Sequence, residues 1–130
     1  MALTKAQQTV NEGSTLTYTC TLKDEDGVVL ALASINSLTL SFCNLPTSDV
    51  AESTINSRLD QNVLNANNVT VHATSGLLTW ELQPEDNVIV NSALARGVEE
   101  QHEATFKLVY STTKKLNHVV NFFVVQLGKV

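Results

Sequence analysis

Residues 14–27, S-T-L-T-Y-T-C-T-L-K-D-E-D-G, carry the pattern that decides the fold. From position 15 to position 22, threonines alternate with residues that can be buried (Leu16, Tyr18, Cys20 and Leu22). This period of two is typical of a strand with one buried and one solvated face. Threonine suits the solvated face, because its β-branched side chain favours extended backbone. The Asp-Gly pair that ends the stretch predicts a tight turn, since these residues readily adopt positive φ angles.

Similar alternating runs recur along the chain. The clearest are residues 35–42, 77–82 and 103–111, and turn-forming residues follow them. Residues 116–127 are apolar on both faces, which indicates a strand that is central in a sheet or covered by a partner. We count about seven to nine short strands and no helix longer than one or two turns, a spacing that predicts an all-β sandwich or barrel.

The 130 residues are enough for one domain. We expect residues 1–10 to form an N-terminal arm or a first edge strand, and residues 11–130 to form a single β-sandwich domain. The Asn- and Gln-rich residues 58–68 lack a clean period, so they predict a loop with one irregular turn around Val63 and Leu64.

Charge and hydropathy narrow the possible partners. The net charge is −5 and the basic residues are scattered, which argues against nucleic acid and against an anionic membrane surface. No apolar run approaches the roughly 18–20 residues that cross a bilayer. The N-terminus lacks the apolar core of a signal peptide. We therefore expect a protein that is made and kept in a cytoplasm, or that leaves it by lysis.

The alternation of the two strands places one cysteine on an inward face and the other on an outward face. Cys20 lies on the inward face of the first alternating run, whereas Cys43 follows the inward-facing Phe42 and points outward. We expect two free thiols, with Cys20 acting as a small core hydrophobe. A disulfide between Cys20 and Cys43 is the alternative.

No motif predicts a catalytic, cofactor or metal site. The acidic turn at residues 24–27 lacks the later bidentate Glu of an EF-hand loop, so we interpret it as a solvated hairpin turn. The chain has no G-x-S-x-G elbow, Gly-rich phosphate loop or C-x-x-C. We therefore expect a protein that is not an enzyme, with no cofactor and no small-molecule substrate.

The three histidines, His72, His102 and His118, lie on separate segments. A hairpin turn centred at residues 113–114 would pair Val109 with His118 and place His102 near Gln126. The histidines would then not converge, and a zinc site needs three or four converging ligands.

Three segments carry a family pattern: residues 13–27, residues 69–86 and residues 105–111. They read GSTLTYTCTLKDEDG, VTVHATSGLLTWELQPED and TFKLVYS. Together they resemble the immunoglobulin-like domains of tailed-bacteriophage virion structural proteins, such as the N-terminal domain of baseplate upper proteins. In that family a strand ending in K-D-x-x-G precedes an apolar strand and a segment G-x-x-x-(W/Y)-x-(L/P)-x-x-x-D. The residues that fill this last segment are Gly76, Trp80, Leu82 and Asp86, with Thr74 just ahead.

The resemblance implies an immunoglobulin-like antiparallel β-sandwich. It also implies a non-enzymatic virion protein that is assembled in the host cytoplasm and docks on capsid, neck or tail proteins. Such a protein would serve as a capsid decoration or cement protein, or as a neck or tail adaptor, in a multi-copy symmetric assembly. A host glycan- or receptor-binding module is the alternative, and it predicts a shallow groove lined by exposed aromatic residues.

Docking is expected to involve the N-terminal arm, the Asn-rich loop and the outward side chains of the last strand. The arm could also add as a strand to a neighbour's open sheet edge. The residues expected to contribute are Gln7, Gln8, Val10, Val63, Leu64, Val119, Phe123, Val125 and Leu127.

Overall fold

The computed structural model describes residues 4–128, with side chains described from residue 7. Within this range the chain forms eight β-strands and two short 3-10 turns, Leu32–Ser34 and Pro84–Asp86. The strands are β1 (Thr4–Asn11), β2 (Leu16–Thr21), β3 (Ile35–Asn44), β4 (Gln61–Asn62), β5 (Val69–Val71), β6 (Leu77–Leu82), β7 (Glu99–Tyr110) and β8 (Lys114–Val125).

The described strands form two facing sheets. A five-stranded sheet has the order β1-β8-β7-β3-β4, and a three-stranded sheet has the order β2-β6-β5. All pairs are antiparallel except β1 with β8, which is parallel. The prediction of an immunoglobulin-like β-sandwich is confirmed. β1 is an edge strand of its own chain's sheet, which is the second of the two forms expected for the N-terminus.

The core lies between the sheets and is organised around Trp80. Its side chain is fully buried, and it packs edge-to-face against Phe42, Phe106 and Phe122 with ring centroids 5.3, 5.6 and 5.5 Å away. Such aromatic pairs add stabilisation beyond their buried area. In β7 and β8 the even-numbered positions face this core, so the odd-numbered positions face outward.

The β7–β8 hairpin has a different register from the one expected. Val109 pairs with Lys115, and His102 pairs with Phe122, so the expected pairing of Val109 with His118 is wrong. The turn is earlier and tighter, because Ser111 and Thr112 both adopt positive φ angles of 49° and 65°. Neither residue is one of the usual formers of such turns.

The Asn-rich segment is a compact loop that includes the two-residue strand β4. Asparagine tolerates the left-handed backbone region better than most residues. Asn65, Asn67 and Asn68 all adopt positive φ angles, of 50°, 54° and 74°. These positions let the chain reverse several times between Arg58 and β5.

Candidate docking surfaces

Three of the residues expected to dock are buried. Val63 is fully buried, and its backbone N–H donates to the Leu38 carbonyl at 3.0 Å. Val10 is 7% exposed and lies level with the buried Val124 of β8. Val119 is also only 7% exposed, although its position in β8 faces outward. Val63 and Val10 therefore contribute to the core, and Val119 offers little free surface. A part for these three residues in docking stays a prediction.

Three further predicted residues do not share one surface. Gln8 is half-buried and lies level with the inward-facing Phe122. Leu64 is part of the Asn-rich loop and packs against the core. Leu127 lies at one end of the sandwich, where its backbone N–H donates to Glu12 Oε1 at 3.0 Å. The structure does not bring these side chains together.

Gln7, Phe123 and Val125 do share a surface, the outward side of the five-stranded sheet. We call this surface the outer sheet face. The described residues at its outward positions are Gln7, Thr9, Ser37, Thr39, Ser41, Cys43, Glu99, Gln101, Glu103, Thr105, Lys107, Val109, Lys115, Asn117, Val119, Asn121, Phe123 and Val125. Two of them, Val119 and Asn121, are nevertheless buried.

Phe123 has uncharged neighbours on the two adjacent strands of the outer sheet face. Phe123 is half-buried there, between Thr9 on β1 and Gln101 on β7. The Gln101 amide Nε2 donates to Oδ1 of the buried Asn121 at 3.3 Å, which holds the Gln101 side chain beside Phe123. Glu99 and Glu103 lie on either side of Gln101 along β7, so two carboxylates border this patch. Aromatic residues such as Phe123 are enriched in protein–protein interfaces.

Arg58 and Asp86 form a buried ion pair, with side chains 2% and 0% exposed. Arg58 Nε donates to Asp86 Oδ1 at 2.6 Å, and Nη2 donates to Oδ2 at 3.0 Å. The guanidinium lies 5.5 Å from the Trp80 ring centroid and also donates to the Asn67 carbonyl. All of these contacts hold the Asn-rich loop to the sandwich, so the pair has a structural role.

Glu100 and His102 form a second buried polar pair, on neighbouring inward positions of β7. His102 Nε2 lies 2.6 Å from Glu100 Oε1. Burial lowers the pKa of His102 below 6.5, although Glu100 acts in the opposite direction. The neutral ring therefore donates from Nε2 at neutral pH. Glu100 also accepts the backbone N–H groups of Val90 and Asn91, each at 2.7 Å, so the carboxylate anchors a loop.

Tyr18 and His118 connect the two sheets. The Tyr18 hydroxyl lies 2.6 Å from His118 Nε2. Burial raises the pKa of Tyr18 and lowers that of His118. A neutral phenol therefore donates to a neutral imidazole, and this hydrogen bond fixes β2 above β8.

Residues that could carry chemistry do not converge in the described part of the chain. Residues 4–128 contain no group of three or more His, Cys, Asp or Glu side chains that could hold a metal ion. Cys20 and Cys43 are free thiols. Cys20 packs against the core, and the Cys43 thiol donates to Glu52 Oε1 at 3.4 Å.

The aromatic residues are nearly all buried. The chain has one Trp, two Tyr and four Phe, all within the described range. Phe123 is half-buried, and the other six are buried. The described surface therefore has no cluster of exposed aromatic rings.

A cavity of about 290 Å³ lies at one end of the sandwich. Its apolar lining comes from the loop residues Leu45, Pro46, Val50 and Leu94. Glu100 also reaches it, but the contacts described above already use both of its carboxylate oxygens. In the described part of the chain, no helix has the length and apolar character needed to cross a membrane.

No protein-family model and no curated protein matches the sequence. Among solved structures, the chain is similar to the periplasmic chaperone SfaE, with a TM-score of 0.49 and 11% identity over 96% of this chain and 56% of the chaperone chain. It is also similar to the N-terminal Ig1-2 module of the Drosophila receptor protein tyrosine phosphatase DLAR, with a TM-score of 0.43 and 9% identity over 96% of this chain and 47% of that chain. The chain thus spans about half the length of the solved structures that it matches. These similarities say nothing about function.

Proposed function

We propose that this protein is a non-enzymatic structural component of a tailed-phage particle. It docks on neighbouring capsid, neck or tail proteins as one of many symmetric copies. The family resemblance of residues 13–27, 69–86 and 105–111 supplies the phage context. The observation that supports the docking role is the half-buried Phe123 on the outer sheet face, with the uncharged Thr9 and Gln101 beside it.

A partner that covers the outer sheet face would bury apolar surface on it. Phe123 and Val125 are half-buried, so a partner can remove further apolar surface from water at roughly 25 cal/mol per Å². Gln101 and Asn121 already hydrogen-bond to each other. Covering them therefore leaves fewer polar groups unsatisfied than covering isolated amides would.

The glycan- or receptor-binding alternative stays a prediction. It called for exposed aromatic residues lining a groove. The described surface offers only the half-buried Phe123 for such a platform. For this reason we place it second.

Particle incorporation of outer-face variants tests the proposal. The phage whose genome encodes the chain would be grown in cells that supply the tagged wild-type protein, Phe123→Asp or Leu77→Asp. Leu77 is a matched control, because it is an apolar residue, 40% exposed, on the other sheet. We expect the wild-type protein and Leu77→Asp to co-sediment with particles. The amount of Phe123→Asp that co-sediments should be lower by about tenfold or more, since burying a carboxylate in the interface is costly. Circular dichroism would verify that each variant is folded.

Two outcomes would contradict the proposal. If the wild-type protein is missing from purified particles, the virion role is wrong. If folded Phe123→Asp is incorporated as well as wild type, docking does not use the outer sheet face.

A further inference from the structure

The two sheets differ in width, and this leaves one strand position open. Tyr18 on β2 contacts His118 and Phe122 on β8, so β2 lies opposite β8. β1 continues the five-stranded sheet one strand beyond β8. No described strand of the three-stranded sheet lies beside β2, opposite β1.

The backbone of β2 presents hydrogen-bonding groups to this open position. The Glu81 N–H donates to the Asn68 carbonyl, and the Leu77 carbonyl accepts from the His72 N–H. The backbone groups of Glu81 and Leu77 therefore point toward β5. In antiparallel ladders the backbone groups alternate in direction. The backbone groups of Trp80 therefore point toward Tyr18 on β2. Thr17, which pairs with Glu81, directs its own N–H and C=O away from β6. Thr19, opposite Thr79, does the same.

This edge lacks the features that usually prevent strand addition. Natural edge strands are kept short or carry Lys, Pro or a bulge. β4 and β5 are edges of two and three residues, and β1 carries Lys5. β2 has six residues, all of them uncharged, no proline and an unbroken register with β6.

The width of the open position determines what can fill it. Because β1 projects one strand beyond β2, a second copy of the sandwich cannot bring its own β2 alongside, since each β1 would overlap the β8 of the other copy. A single extended segment fits, with one of its inward side chains over the half-buried Gln8 of β1. Its backbone would pair with Thr17 and Thr19, as in other cases of strand addition.

A cavity of about 230 Å³ lies at the end of β2, near His118, which pairs with Thr4, the first described residue of β1. Cys20, Leu22, Leu116 and His118 contribute to its lining. This cavity can receive one apolar side chain from the added segment, next to the hydrogen bond between His118 and Tyr18. It therefore favours a segment with an apolar residue near one end.

We propose that the free edge of β2 is a strand-addition site for a single extended, mainly uncharged segment of a partner protein. This inference rests on the proposed function only for the source of the segment, a neighbouring protein of the particle. The site is separate from the outer sheet face, so the two docking modes can be tested independently.

A peptide probe tests the site. The probe is the β6 sequence Leu77–Leu82 with two lysines added at each end for solubility, since this sequence already pairs with β2 in the chain. Binding would be titrated by NMR with ¹⁵N-labelled wild type, Thr17→Pro, Thr17→Val and Phe123→Asp. Proline removes the outward N–H, and its ring occupies the edge. Valine is the matched control, because it keeps the N–H and the β-branched shape.

We expect the Thr17 and Thr19 amides to exchange rapidly with solvent in the free protein and to become protected when the probe binds. Thr17→Pro should weaken binding about tenfold or more, whereas Thr17→Val and Phe123→Asp should bind as wild type does. No binding to wild type would overturn the inference. Equal binding to Thr17→Pro would also overturn it, because that result indicates exchange with β6 rather than addition at the free edge. Neither result would affect the Phe123 experiment.

Discussion

Arg58 shows how one side chain can decide the form of a whole loop. Besides Asp86 and Trp80, its guanidinium contacts Gln61 Oε1 at 2.8 Å and Asn68 Oδ1 at 3.1 Å. A charge buried to this extent is tolerated only when it is paired and hydrogen-bonded. The Asn-rich loop supplies those partners. Its residues are therefore polar partly because the Arg58 guanidinium needs hydrogen-bond acceptors, and not only because the loop meets solvent.

Removing Arg58 should therefore be costly. We expect Arg58→Ala to lower the free energy of unfolding by about 3–5 kcal/mol, because Asp86 is left buried and unpaired. Lys107→Ala is the matched control. It removes an exposed pair with Asp60 at 3.5 Å, which should contribute less than about 1 kcal/mol. Urea unfolding of both variants measures the difference, and equal losses would show that the buried pair is unimportant.

Among the elements, β1 completes the five-stranded sheet. All eight of its residues pair with β8, from Thr4 with His118 to Asn11 with Val125. This pairing covers the otherwise open edge of β8 within the chain itself. Deleting residues 2–9 would remove most of a strand of the sandwich, so a loss of docking in that variant would not distinguish docking from folding.

Point substitutions in β1 separate these effects. We expect Val10→Ala to lower the free energy of unfolding by about 1–3 kcal/mol, because it removes buried methyl groups beside Val124. Gln7→Ala, on the outward side of the same strand, should change it by less than about 0.5 kcal/mol. Thermal or urea unfolding provides the measurement. If Val10→Ala has no effect, β1 is not packed on the sandwich in solution.

At the scale of the whole molecule, the five-stranded sheet separates the two thiols. Cys20 faces the core from β2, and Cys43 lies on the outer sheet face. Burial raises the pKa of each thiol to about 11, and for Cys43 the Glu52 carboxylate acts in the same direction. Both cysteines are therefore almost entirely protonated at neutral pH.

Thiol chemistry can test this arrangement. We expect a disulfide-exchange reagent at pH 8 to label the native protein at least about tenfold more slowly than the unfolded chain, since only thiolate reacts. In denaturant without reductant, two thiols should react. The melting temperature should not change with reductant. A mass difference of about two daltons between reduced and unreduced protein would instead reveal a disulfide between Cys20 and Cys43.

The alternating pattern by itself determined the β-sandwich class and most of the core. A period of two assigns each residue of a strand to one face. For this reason Tyr18, Leu78, Trp80 and Phe106 could be placed inward before any pairing was known. The scattered charge likewise gave no support for a nucleic-acid surface.

Only the tertiary structure decided how the faces and edges are used. The turn at Ser111 and Thr112 set the β7–β8 register, because their positive φ angles are not evident from residue type. The burial of Arg58 and Val63 depends on Asp86 and Leu38, which are distant in sequence. The open edge of β2 follows from the difference in strand number between the two sheets. Strand periodicity is a local property, so it does not indicate which strand lacks a neighbour.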